Sequence, residues 1–314
     1  MFVDFRGSIW GLIGWQWKAV LFFSLASTAI VVAEHFLPRY IDEILLPITP
    51  VAVVGGAIGI FVSFRTNSAY DRWWEGRKLW GRLINSSRHF ATQVLTYLPL
   101  PEHGAEQEPP VPSELQLGLI RRHIAYVHAL RALLRSESLA RDGDFMAFLS
   151  DKEAERTIAE SNPTHALLHT QMRLLVAESD AGRLDARRLQ SFDETIRALL
   201  DIQGGCERIK KTPFPRSYGF IAERLIMAYG LLLPLGLVGN IHNEWIAIPL
   251  TILVCLSFAL ISEVGRVLED PFTNFWPALP LSALSKTIEI NLRQRLGDAD
   301  LPALPKQNAR GILM

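Results

Sequence analysis

Cysteine is scarce in this 314-residue chain: there are two, Cys206 and Cys255. Their spacing implies no disulfide framework and no cysteine metal centre. The signatures of common catalysts are missing too. The sequence has no phosphate-cradling glycine loop closed by Lys-Ser/Thr, no HExxH and no GxSxG. The histidines are scattered; His123 and His128 stand five apart and suit packing or surface roles better than a ligand pair. There is no strand-like alternation of any length and no tandem repeat. Neither sign of charge dominates, with 32 Lys and Arg against 32 Asp and Glu, and no basic, aromatic-interleaved surface suggests nucleic acid. No enzyme, no cofactor and no nucleic-acid partner is therefore expected.

The most informative shortage is local. Formal charge vanishes from residues 19–33, 44–64, 225–243 (His242 taken as neutral) and 245–262. A membrane span needs about 20 mostly apolar residues. The last three runs meet that length, and the first does if Glu34 and His35 sit at the interface. Trp15, Trp17 and Trp245 stand near run ends, as in an aromatic belt. Buried helices of a large soluble enzyme fit this pattern less well.

Basic residues set the expected orientation. The connection between the first two runs carries only Arg39, and residues 240–244 carry none. The opposite flanks hold Arg6, Lys18, Arg65, Arg72, Arg77, Lys78 and Arg82, then Arg208, Lys210, Lys211, Arg216, Arg224 and Arg266. The positive-inside rule puts both termini and the long middle segment in the cytoplasm. Asp4 stands where a signal peptide would be basic, and no small-residue cleavage site follows, so no cleavable leader is expected.

The chain is thus expected to divide into residues 1–64 with the first pair of spans, a cytoplasmic helical domain 65–216, a second pair 217–265 and a cytoplasmic tail 266–314. The middle part carries amphipathic helical periodicity in "LWGRLINSSRHFATQVLTYL" and "LQLGLIRRHIAYVHALRALLR". A Pro- and Glu-rich loop over 99–115 separates them, and two further helices break at 180–182. Pro271, Pro277 and Pro280 interrupt the tail, leaving a short helix over 283–296.

Three features invite a functional reading. Gly55 and Gly59 form a small-xxx-small pair that lets membrane helices approach closely. Gly56, Ile60 and Phe64 share one helix face; by spacing alone that stripe faces lipid, a protein core or a pore gated by dewetting. In "KKTPFPRSYGF", Pro213 and Pro215 exclude a regular helix, which suits a second constriction or a cytoplasmic elbow equally. Glu34, His35, Glu223 and Glu263, the titratable groups near the spans, read as interfacial or packing residues rather than an intramembrane catalyst.

The second run leads into "FRTNSAYDRWWEGRKLWG", where Arg65, Arg72, Arg77 and Lys78 alternate with Trp73, Trp74 and Trp80. Positive-inside anchoring explains part of this, and Arg–Trp stacking adds to it. The combination resembles the signature of the bacterial branch of the bestrophin family; its marks here are Arg65, Asn67, Asp71, Arg72, Trp73, Trp74 and Glu75. "TPFPRSY" and "EDPF" match two further family segments, and the resemblance covers about residues 1–296. It implies an all-α membrane protein with four transmembrane helices per chain and a cytoplasmic helical domain. Five chains would assemble into a funnel-shaped homopentameric ion channel in the inner membrane, its partners being its own copies, small ions and lipid. The pore neck would fall on Gly56, Ile60 and Phe64, and a cytoplasmic aperture on Pro215, Arg216 and Ser217. Gly56 replaces a bulky apolar residue usual at that place, implying a wider outer neck. A ring of Arg216 would favour anions, chloride among them. The segment after "EDPF" lacks the acidic run of the animal members, so no calcium clasp or other metal site is expected. A cation-selective channel of the same fold and a non-conducting scaffold that binds a cytoplasmic partner are the alternatives.

Overall fold

The computed structural model describes residues 11, 14–99, 111–307 and 313. Among these the regular elements are helices, and the main ones are α1 (Trp17–Phe36), α2 (Pro38–Ile41), α3 (Ile48–Tyr97), α4 (Glu114–Leu134), α5 (Gly143–Met146), α6 (Asp151–Ala159), α7 (Pro163–Asp180), α8 (Ala186–Lys211), α9 (Arg216–Val238), α10 (Ala247–Leu268) and α11 (Leu281–Leu296). Residues 100–110 of the expected Pro- and Glu-rich loop lie outside the described residues. α1, α3, α9 and α10 each contain a stretch long and apolar enough to cross a membrane. They coincide with the four charge-free runs.

The helices start and stop where local chemistry dictates. α4 opens on a capping box: the Ser113 hydroxyl accepts from the Gln116 amide, and the Gln116 side chain accepts from the Ser113 amide. α7 opens on Asn162, with Pro163 at the first helical position, and α8 opens on Asp185. α11 ends on Gly297 at φ 80°, the left-handed conformation that glycine adopts without strain. α3 runs without interruption for 50 residues, past the end of the apolar run at Phe64 and through the Arg/Trp-rich stretch.

The described chain forms two compact units, with divisions at 73/74, 212/213 and 269/270. The first contains α1, the apolar part of α3, α9 and α10. Its core is Phe23 from α1, Val51, Ile58 and Val62 from α3, Ala222, Ile226, Tyr229 and Leu233 from α9, and Cys255 from α10. Glycines permit the closeness: a methyl group at Gly55 would overlap the Tyr229 hydroxyl, and one at Gly230 would overlap the Phe23 ring. Gly59 faces the Phe258 ring at ordinary contact distance, so both members of the small-xxx-small pair turn inward.

The second unit is a helical assembly made from the later part of α3, α4 to α8 and α11. Phe90 and Phe192 meet edge to face with centroids 6.0 Å apart, and the His123 ring stacks on Phe90 at 4.8 Å. Burial drives the His123 pKa down to about 4, so the ring is neutral at pH 7, and its Nε2 lies 2.9 Å from the Ser87 hydroxyl. His128 is also fully buried, with Nε2 2.9 Å from the Glu289 carboxylate. Glu289 in turn accepts from Lys286 at 2.7 Å, and Lys286 also reaches Asp144 at 2.8 Å. Both histidines are packing residues, as their spacing suggested.

Candidate functional site

The candidate site lies on the face of α3 that the first unit leaves uncovered. Val51, Ile58 and Val62 point into the core, while Ile60 and Phe64 remain 61% and 68% exposed. Among the described residues, nothing beyond the helix itself lies within 4 Å of where a Gly56 side chain would be. The geometry follows from the helix period: positions 56, 60 and 64 stack on one side, and positions 51, 55, 58 and 62 on the other. Val53 lies exposed one turn before Gly56, at 67%, and extends the stripe. Beyond Phe64 the exposed positions turn polar, with Asn67 and Asp71 following at helical spacing. A contiguous apolar face of this kind on a single chain marks an interaction surface, a lipid contact or a pore lining.

The end of this stripe is held by the family-like signature. Arg65 has a side chain only 3% exposed and spends its guanidinium on α10 and the segment after it. One terminal nitrogen donates to the Ser262 hydroxyl at 2.9 Å and to the Ser262 carbonyl at 3.2 Å; the other donates to Glu269 at 2.6 Å. Arg72 Nε donates to the Glu269 backbone carbonyl at 2.6 Å, and the Thr66 hydroxyl donates to the Ile261 carbonyl at 3.1 Å. A buried guanidinium is tolerable only with such pairing. Phe64 is thus fixed at the root of a helix bolted in place one residue later. Gly219 on α9 passes close to Arg65, where a side chain would crowd the guanidinium at 3.0 Å.

The remaining signature residues do different work. The Tyr70 and Trp73 rings stack at 6.1 Å, and Trp74 keeps nearly half its surface exposed. In the second unit, Glu75 pairs with Arg208. There too Gly76 lets Pro271 and Phe272 of the "EDPF" segment pack against α3; a side chain at Gly76 would meet both at 3.2 Å.

Pro215 caps the start of α9, and Arg216 and Ser217 form its first turn. Pro215 and Ser217 are exposed; the side chain of Arg216 lies outside what is described. Tyr218 stacks on Phe61 of α3 at 6.0 Å with the rings nearly parallel, and meets Phe214 at 6.1 Å. The segment bends between α8 and α9, and Tyr218 seats the new helix against Phe61 of α3. Two of the four titratable groups near the spans are paired. His35 Nδ1 sits 3.0 Å from Glu244, and Glu263 pairs with Arg266. No cluster of three or more His, Cys, Asp or Glu suited to a metal occurs among the described residues.

Two roles were not visible in the sequence alone. Ser262 and Glu269, about 200 positions from Arg65, complete its buried site, and Tyr229 covers Gly55. The signal for the first was the unexplained Arg at the end of an apolar run, which must find partners somewhere.

With this geometry established, the comparisons are direct. The family model described as "Bacterial/Fungal Bestrophin protein" matches residues 1–294. A voltage-dependent anion channel-forming protein of Mesorhizobium japonicum is 34% identical over 260 residues, spanning 83% of this chain and 79% of its own. One from Escherichia coli K12 is 31% identical over 269 residues, covering 85% and 83%. A crystal structure of a bacterial bestrophin homolog from Klebsiella pneumoniae superposes with TM-score 0.79 at 26% identity, covering 90% of this chain and 99% of that one. A variant of that homolog gives TM-score 0.80 at 27% identity, covering 90% and 98%.

Proposed function

Because the chain belongs to the bestrophin family and carries its all-α membrane fold, we propose that it forms a passive ion channel whose neck is built from the Gly56–Ile60–Phe64 face of α3. The observation that carries this reading is that face itself. It is the uncovered side of a helix whose other side is packed, and its large apolar residues stand free in the single chain. Five copies around an axis would bring five Ile60 and five Phe64 side chains together. An apolar ring excludes water when narrow, and so resists ions until it widens. Gly56 leaves the outer end of the neck wider than the Ile60 and Phe64 levels. Asn67 and Asp71 provide a polar exit at the cytoplasmic end. Pro215, Arg216 and Ser217 are proposed as the collar beside that exit, with Arg216 contributing positive charge. The protein is taken to lie in the inner membrane with both termini cytoplasmic, by the distribution of Lys and Arg.

Small anions, chloride among them, are the favoured cargo. The similar proteins of Mesorhizobium japonicum and Escherichia coli are described as anion channel-forming, and an Arg ring at the collar acts in the same sense. An apolar neck does not choose a sign by itself. The deciding experiment is the reversal potential of purified protein in a planar bilayer under a salt gradient. A value near the chloride equilibrium potential is expected, and neutralising Arg216 should move it toward zero. A value near the cation potential would retain the channel and discard the Arg216 ring. Ile60→Ala and Phe64→Ala should each raise conductance several-fold; parent-like conductance in both would refute the neck. Absence of current in the parent and in both variants would favour the scaffold reading.

A further inference from the structure

The first unit holds a cavity of about 270 Å³ between α1, α9 and α10, lined by none of Gly56, Ile60 and Phe64 and unused by the channel reading. Its walls are apolar, with Phe22, Ile226 and Met227 prominent, and its polar groups include Lys18, Glu223 and Glu263. Glu263 is committed to Arg266. Glu223 makes no hydrogen bond or ion pair among the described residues, its charge acting on Arg266 nearby, and the Lys18 ammonium stands over the Trp17 ring, 5.8 Å from its centroid. Among the described residues a cation and a carboxylate outside any ion pair are therefore left beside an apolar wall. They sit at the end of the spans where α1 begins and α10 ends, at headgroup level by the aromatic belt that Trp17 marks.

We propose that this cavity binds the headgroup of a zwitterionic phospholipid with a primary amine, of the phosphatidylethanolamine class. The phosphate would lie at Lys18 and the ammonium at Glu223. Charge complementarity selects this occupant. A primary ammonium donates three hydrogen bonds to a carboxylate or hydroxyl, as a lysine does. The quaternary ammonium of a choline headgroup donates none, and an anionic glycerol headgroup would set a net negative charge beside Glu223. The volume falls below the usual range of about 300–1,000 Å³ for whole-ligand pockets. It suits a headgroup whose chains leave over the lipid-exposed apolar sides of α1 and α9, where Leu21, Leu25 and Leu231 stand half exposed or more openly.

The test needs no current, so its outcome is independent of the channel reading. Protein in mild detergent would be titrated with phosphatidylethanolamine, its N-methyl and N,N-dimethyl derivatives, phosphatidylcholine and phosphatidylglycerol, and bound lipid counted by native mass spectrometry. Retention should fall stepwise with each methyl group, to at least fivefold below phosphatidylethanolamine for phosphatidylcholine, with phosphatidylglycerol weak. Glu223→Gln should bring phosphatidylethanolamine within twofold of phosphatidylcholine. Lys18→Gln should weaken both zwitterionic lipids. Met227→Trp, which fills the cavity, should abolish the preference. Equal retention across the methyl series in the parent protein would overturn the proposal whatever the variants do. So would a preference that survives in folded Glu223→Gln.

Discussion

Arg65 shows how one residue ties local sequence to distant structure. A helix leaving the membrane carries basic residues for orientation, and most of these stay wet. Arg65 instead goes inward, to Ser262 and Glu269. Removing one partner of a buried ion pair costs about 3–5 kcal/mol, because the other is left uncompensated. Arg65→Ala should therefore lower the melting temperature strongly, while Arg65→Lys, which keeps the charge but loses the forked geometry, should fall between. Tryptophan fluorescence melts in detergent would rank the three. Glu289 makes a second residue-scale case. Burial alone would raise its pKa, but hydrogen bonds from His128 and Lys286 outweigh burial and hold it at about 2. Its folded pKa lies below the ordinary 4.5. Its stabilising contribution is therefore complete above about pH 4.5 and disappears as pH falls toward 2. Glu289→Gln should cost about 2 kcal/mol at pH 7, the worth of charge-assisted hydrogen bonds. The gap from the parent should narrow through that window, as pH-dependent melts would show.

At the scale of helices, glycine placement decides which faces meet. Gly55 and Gly230 let α3, α9 and α1 close on one another, and Gly56, next in sequence to Gly55, has only open space. Substitution at the two neighbours should then differ sharply. Gly55→Leu should disrupt the packing and abolish recovery of folded protein, while Gly56→Leu should be accommodated and narrow the outer neck. Size-exclusion profiles and single-channel conductance would separate these outcomes. The four spans were legible because charge is missing for long enough to count. The amphipathic helices over 115–135 and 163–211 were legible from periodicity and a break at 180–182. The small-xxx-small spacing pointed to Gly55 and Gly59 as the close-approach glycines, but that Tyr229 and Phe258 are what they meet is made by the fold and lies outside any spacing rule within α3. The partners of Arg65 were hidden for the same reason, since pairs about 200 positions apart are made by the fold. The stacking of Tyr218 on Phe61 was hidden too, a tertiary event that two prolines do not announce.

At the scale of the whole molecule, the proposed neck requires copies of the chain to meet on the α3 face. A lone chain would present Val53, Ile60 and Phe64 to its surroundings. The five-fold assembly proposed above should give a native mass five times the 35.3 kDa chain. A smaller or variable mass would remove the ring on which the neck depends.

The two cysteines carry a practical consequence. Both are buried, and burial pushes the Cys206 thiol up to about 12, so it stays protonated and unreactive near neutral pH. The native chain should thus give almost no signal with a thiol-directed dye or spin label. A single cysteine introduced at Val53, Ile60 or Phe64 would report alone, its labelling rate tracing water access along α3 level by level, against a background the protein itself keeps dark.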